Sequence, residues 1–143
     1  MSPRPRGRAA PCSRDDARIR LRHAESFLLV ADLVLAQADD PLLALTSVAS
    51  SLAVLAGIAA SDAACCASLK VRARGQDHEE AIRLVQSVSP GGEQMARDLG
   101  RLLSLKDDAQ YGVLVVPADR AESAVAWARR LVEAAHHLVV VAP

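Results

Sequence analysis

The sequence predicts an all-α fold, an antiparallel up-down bundle of four to five helices, and three observations lead to it. Half of the residues are apolar but only 2% are aromatic, with Phe27, Tyr111 and Trp127 the whole supply, so the core is built from Ala, Leu and Val. Such small side chains let helix axes approach towards the close end of the roughly 8–10 Å range, which favours helices over sheets. Apolar residues recur at alternating three- and four-residue spacings along extended segments, the pattern of a bundle seam. The breaks between those segments are short, and short connections make neighbouring helices antiparallel. A chain of 143 residues suits a single domain that buries roughly two-thirds of its unfolded surface.

Residues 1–14 are expected to form a disordered basic arm, followed by a helical domain over residues 15–140. The arm carries Arg4, Arg6, Arg8 and Arg14 without an acid, and Pro3, Pro5, Gly7 and Pro11 keep it from folding into a helix. Its charge suits attraction to phosphate. A solvated tail, or a start codon placed too early, is the plainer account. No apolar segment adjoins this basic start, so no secretory signal is expected.

Helix 1 is predicted from about Asp15 to Gln37, with Ser13 and Asp16 as a capping box and Ala17, Leu21, Ala24, Leu28, Ala31 and Leu35 as its seam. Asp39-Asp40-Pro41 stops it and starts helix 2, which is expected to reach about Val71. Leu42–Ser61 has no charge over twenty positions, long enough to cross a bilayer. Thr46, Ser47, Ser50, Ser51 and Ser61 lower its hydropathy and no Trp or Tyr belt marks its ends, so a central bundle helix in a soluble, cytoplasmic protein is expected, with no membrane partner. Ala49, Ala53 and Gly57 would let its neighbours come close.

Residues 72–76 read as a turn with Gly75 as helix cap, and Asp77 with Glu80 caps a short helix 3 over about His78–Val88. Ser89-Pro90 opens helix 4, expected to end near Lys106. Val113–Val116 is too short and unpartnered to make a sheet. Helix 5 is expected from Pro117–Asp119 to about Leu138, with Ala121, Ala124, Ala128, Leu131, Ala135 and Leu138 as its seam. Cys12, Cys65 and Cys66, an odd count with no metal spacing, read as small buried hydrophobes in a reducing cytoplasm rather than as a disulfide framework.

Three features, taken in order, carry a resemblance. An Ala-rich second helix holds a single acid, Asp62, before Cys65; an Arg-x-Arg-Gly-x-Asp-His turn follows at residues 72–78; after helix 4 comes Lys106-x-x-Ala109-x-Tyr111, then an Ala-rich helix with Ala124, Ala128, Arg129 and Val132. Over roughly residues 15–138 the chain resembles the HEPN superfamily, and within it an actinobacterial branch. The resemblance implies a helical bundle, a homodimer, and a toxin–antitoxin, phage-defence or RNA-processing setting with RNA or a nucleotide as ligand. Active members of the superfamily cleave RNA without metal through an Arg-x(4–6)-His motif. Arg72 and His78 have five residues between them, but Ala73 stands where the ribonucleases carry a polar residue. Arg129 with His136 and Arg130 with His137 have six between them, and Val139 stands where the toxin variant has Tyr.

Metal-free RNA cleavage needs an acid or base near neutrality and a cation on the phosphate, which makes His and Arg the natural pair. A seven-residue offset turns a helix by about 700°, so each Arg/His pair of helix 5 shares a face. Arg129 and His136 are expected on the flank of the core seam, and Arg130 and His137 pointing away from the core. The candidate catalytic residues are therefore Arg129, His136, His78 and Arg74. Basic residues near a helix C-terminus are also favoured by its dipole, which is the structural alternative. Asp62, Arg72, Lys106 and Tyr111 form an expected structural polar cluster, in which Arg74 or His78 neutralises Asp62 and the Tyr111 hydroxyl bonds a neighbouring loop.

Two functions follow as expectations. One is an RNA- or nucleotide-associated HEPN-like protein with weak or no cleavage of generic RNA. The other is a non-catalytic dimeric module that binds a partner protein. No metal or cofactor is expected in either.

Overall fold

The computed structural model describes residues 9–75 and 77–141, and residues 1–8 of the expected arm lie outside them. The chain is all-α apart from one small clip of two strands, and its elements run β1 (Ala9–Pro11), α1 (Arg14–Leu35), α2 (Leu45–Leu69), β2 (Val71–Ala73), α3 (His78–Gln86), α4 (Gly92–Tyr111) and α5 (Ala118–His136), closed by a π-helical turn His137–Val141. The helices form an antiparallel up-down bundle with α2 at its centre, against α1, α4 and α5.

α1 starts where its capping box sets it. The Asp16 amide donates to Ser13 Oγ at 3.0 Å, and the Ser13 amide donates to the Asp16 carboxylate at 2.8 Å. Ala17, Leu21, Ala24, Leu28 and Ala31 are buried at the expected spacing. α2 buries Ala49, Ala53, Ala56, Ala59, Ala60, Ala63 and Ala64 completely. Gly57 explains how near its neighbours come: a Cβ there would stand 2.5 Å from Leu102 Cδ1 on α4 and 3.3 Å from Leu131 Cδ1 on α5. By length and composition α2 could cross a membrane, yet 61% of its most apolar window is buried inside the bundle. Its hydroxyls serve the fold: Thr46 Oγ1 donates to the Val116 carbonyl at 2.6 Å and Ser47 Oγ accepts from the Val116 amide at 2.9 Å, fastening the segment before α5.

Several boundaries differ from expectation for local reasons. Residues 9–14 of the expected arm belong instead to the fold: β1 pairs antiparallel with β2 in the register Ala9↔Ala73, Ala10↔Arg72 and Pro11↔Val71. α2 begins at Leu45 rather than at Pro41, since the Asp40 carboxylate accepts from the Leu42 amide and closes a turn instead of capping the helix. It ends at Leu69, where Lys70 takes the left-handed conformation (φ 64°) and does the capping expected of Gly75. α4 begins at Gly92, after a cis Ser89–Pro90 bond, and runs on through Tyr111.

The cysteine expectation is corrected. Cys12 is bonded to Cys66 in a disulfide whose Cα atoms lie 5.4 Å apart across a separation of 54 residues, and Cys65 stays a free, buried thiol. Strand pairing brings Cys12 beside the last turns of α2, and the Cys12 amide donates to the Lys70 carbonyl at 2.9 Å. Neither the odd count nor the spacing carries that information.

Candidate functional site

A cleft of about 600 Å³ opens where α1, α2, the β2–α3 turn and α4 meet. α1 contributes Asp16, Ile19 and Arg20, and α2 contributes Leu55, Ile58, Ser61 and Asp62. Arg72, Asp77 and His78 come from β2 and the start of α3, and Leu103, Lys106, Gln110 and Tyr111 from α4. The walls combine aliphatic and charged groups, with Arg20, Arg72 and Lys106 as cations and Asp16, Asp62 and Asp77 as acids.

Each charged side chain is placed by a local feature. Arg20 is held on the α1 flank facing α2 and donates from Nε to Asp62 Oδ2 at 3.1 Å. Asp62 is therefore paired from α1, not from the Arg72–His78 turn as expected, and Arg72 acts on it only as a nearby charge. Burial pushes the Asp62 carboxyl above its ordinary value of 3.8, against the opposing pull of Arg20 and Arg72. Asp77 caps α3 by accepting from the Glu80 amide at 3.0 Å, which sets His78 at the first helical position. Across the cleft Lys106 Nζ stands 3.4 Å from His78 Nε2. An ammonium has donors only, so this contact uses the imidazole nitrogen as acceptor. Tyr111 ends α4 with three-quarters of its surface exposed, and among the described residues its hydroxyl has no hydrogen bond, contrary to the loop contact expected of it.

The expected catalytic residues are not brought together. Arg129 donates to Asp32 on α1 at 2.6 Å, and His136 Nδ1 stands 3.3 Å from Glu25 on the same helix. Both side chains thus fasten α5 to α1, well away from the cleft, and they do not face one another as a pair. Arg74 is exposed beyond the rim, leaving His78 as the one candidate inside. Arg130 is exposed, as expected of a residue pointing away from the core, and its guanidinium reaches across to α4 and grips the buried Asp98 with two bonds, Nη2 to Oδ1 at 2.6 Å and Nε to Oδ2 at 3.1 Å. Among the described residues no group of His, Cys, Asp and Glu has the arrangement of a metal site.

The sequence gives Arg20 and Asp98 no role, and Asp16 only that of the Ser13 capping box. Arg20 had a signal, since it stands two residues from both Arg18 and Arg22 and so lies on another face of α1 than they do. Asp98 had none, because between Arg97 and Arg101 on α4 nothing distinguishes it from a solvated surface charge. Compared with protein-family models and with curated proteins, the chain finds no match.

Proposed function

We propose that this is a HEPN-like, RNA- or nucleotide-associated protein of the cytoplasm that acts as a homodimer and binds its ligand's phosphate at the α1–α2–α4 cleft, with little or no cleavage. The observation that carries the reading is convergence: Asp62, Arg72, His78, Lys106 and Tyr111, drawn from segments up to 49 residues apart in the motif pattern, line one cleft. Arg72 and Lys106 offer cationic donors for phosphate, and the aliphatic wall of Ile19, Leu55, Ile58 and Leu103 suits the flat face of a base or sugar. Weak catalysis follows from the same geometry. His78 faces Lys106, Arg74 stands outside, and Arg129 and His136 are spent on Asp32 and Glu25, so the four expected catalytic residues do not meet on one phosphate.

The test is binding of a mixed-sequence RNA oligonucleotide in EDTA, followed by fluorescence anisotropy. Arg72→Ala and Lys106→Ala are expected to weaken binding about tenfold each and to flatten its salt dependence, while Arg129→Ala and His136→Ala leave it unchanged. Binding untouched by the cleft variants would overturn the reading. Robust RNA degradation lost in His78→Ala would overturn the non-catalytic part.

A second reading, a module that binds a partner protein, is favoured by one observation. Leu42 is 90% exposed, Val113 98% and Leu114 81%, all flanking the α2 start to which Val116 is fastened. Light scattering checks the dimer, and a mass near 15.1 kDa at every concentration would contradict it.

A further inference from the structure

The Cys12–Cys66 disulfide stands at the edge of the cleft. Cys66 lies one helical turn beyond Asp62 on α2, and Cys12 follows Pro11, itself part of the cleft wall. Arg72 occupies the middle of β2, opposite Ala10 of β1. The turn at Gly75, Asp77 and His78 continue directly from β2, so this side of the cleft hangs from the two-stranded clip.

That clip is too small to hold by itself. Two paired strands of three residues are marginal in water, and Pro11 supplies no amide to the ladder. On its other side the capping box starts α1 without help from β1, since Ser13 and Asp16 bond one another. Loss of the Cys12–Cys66 bond would therefore free β1 while the bundle kept its helices. In the reducing cytoplasm of the proposed function, a disulfide is characteristically transient or redox-sensing rather than a permanent staple.

We propose that the Cys12–Cys66 disulfide is a redox latch: oxidised, it holds the β1–β2 clip and Arg72 against the cleft, and a dithiol reductant releases them. The reductant's thiolate attacks Cys12 Sγ, the sulfur–sulfur bond breaks, and Cys66 leaves as a thiolate that takes up a proton. The second thiol of the reductant then displaces Cys12 from the mixed disulfide. Two electrons and two protons pass to the protein, and the reductant ends as its own disulfide. Cys12 is the less buried of the two residues, at 8% exposure against none for Cys66, and it lies on the short strand that opens. Cys65 does not compete, because burial and the Asp62 charge push its thiol up to about 12 and leave it protonated.

The consequence for the ligand rests on the proposed phosphate-binding role of the cleft, so the experiment reads the latch and the ligand separately. Hydrogen exchange by mass spectrometry compares the full chain before and after dithiothreitol. Segments 9–13 and 70–75 are expected to exchange about tenfold faster on reduction, with the Cys12 amide released from Lys70, while α2 and α4 are unchanged. Cys12→Ser is expected to exchange fast from the outset and to ignore the reductant. Unchanged exchange of the clip in both the reduced protein and the variant overturns the latch. Faster exchange throughout the chain also overturns it, showing a global staple instead. In parallel, affinity for the mixed-sequence RNA oligonucleotide is expected to fall about fivefold on reduction, as Arg72 is released. Equal RNA affinity in both redox forms overturns the ligand part of the inference. A clip that opens in a protein that binds RNA in neither form upholds the latch and overturns the RNA reading.

Discussion

Arg20 on α1 reaches Asp62 Oδ2 on α2 with both Nε and Nη2, each at 3.1 Å, in one wall of the cleft. The pair does not repay the burial of the carboxylate, because Asp62 still titrates above its ordinary 3.8. A carboxyl whose folded value is raised binds more protons in the folded than in the unfolded state, so its contribution is full in acid and lost as pH climbs through the folded value.

The first expected outcome is a pH-dependent gap between the wild type and Asp62→Asn, which cannot titrate there. The wild type's advantage should be greatest below about pH 4 and shrink as pH climbs through the raised folded value, above which the carboxamide costs about 1 kcal/mol or less. Denaturant unfolding across that range checks it. A gap that widens with pH would mean that the Arg20 pair outweighs burial.

Asp98 is 1% exposed and depends on Arg130, with Arg101 at 3.6 Å as a weaker second cation. Arg130→Met should leave a buried carboxylate half-satisfied and lower stability by about 2 kcal/mol. Restoring neutrality with Asp98→Asn in the same chain should recover part of that loss, which a double-mutant cycle measures.

Cys12→Ser removes a cross-link that closes a long segment of chain, 54 residues in separation. Under oxidising conditions it should cost about 1 kcal/mol or less, because the bundle keeps its helices without the clip, and with reductant present the variant and the wild type should unfold alike. Urea titrations with and without dithiothreitol decide between this and a bond that staples the whole fold.

Gly57 faces two leucines that are themselves fully buried, so neither Leu102 nor Leu131 can swing into solvent to make room. Gly57→Val should lower stability by about 2 kcal/mol or more through overpacking. Gly57→Ala should cost less, because better helix propensity returns about 1 kcal/mol. Equal stability of all three would show that α4 and α5 move aside freely.

By itself the sequence determined the class of fold, the five helices and most of their buried faces. Apolar spacing along one helix is a local property: Ala17, Leu21, Ala24, Leu28 and Ala31 face inward wherever the helix finally lies. The Ser13–Asp16 and Asp77–Glu80 caps were legible for the same reason, since both partners sit within one turn. What joins distant segments was not. Arg20 finds Asp62 across 42 positions, Arg130 finds Asp98 across 32, and Arg129 is drawn to Asp32 across 97. The Cys12–Cys66 bond likewise waited on a strand pairing that three residues on each side scarcely announce. Charge pairing depends on which faces the bundle turns towards each other, and only the packed tertiary structure decides that.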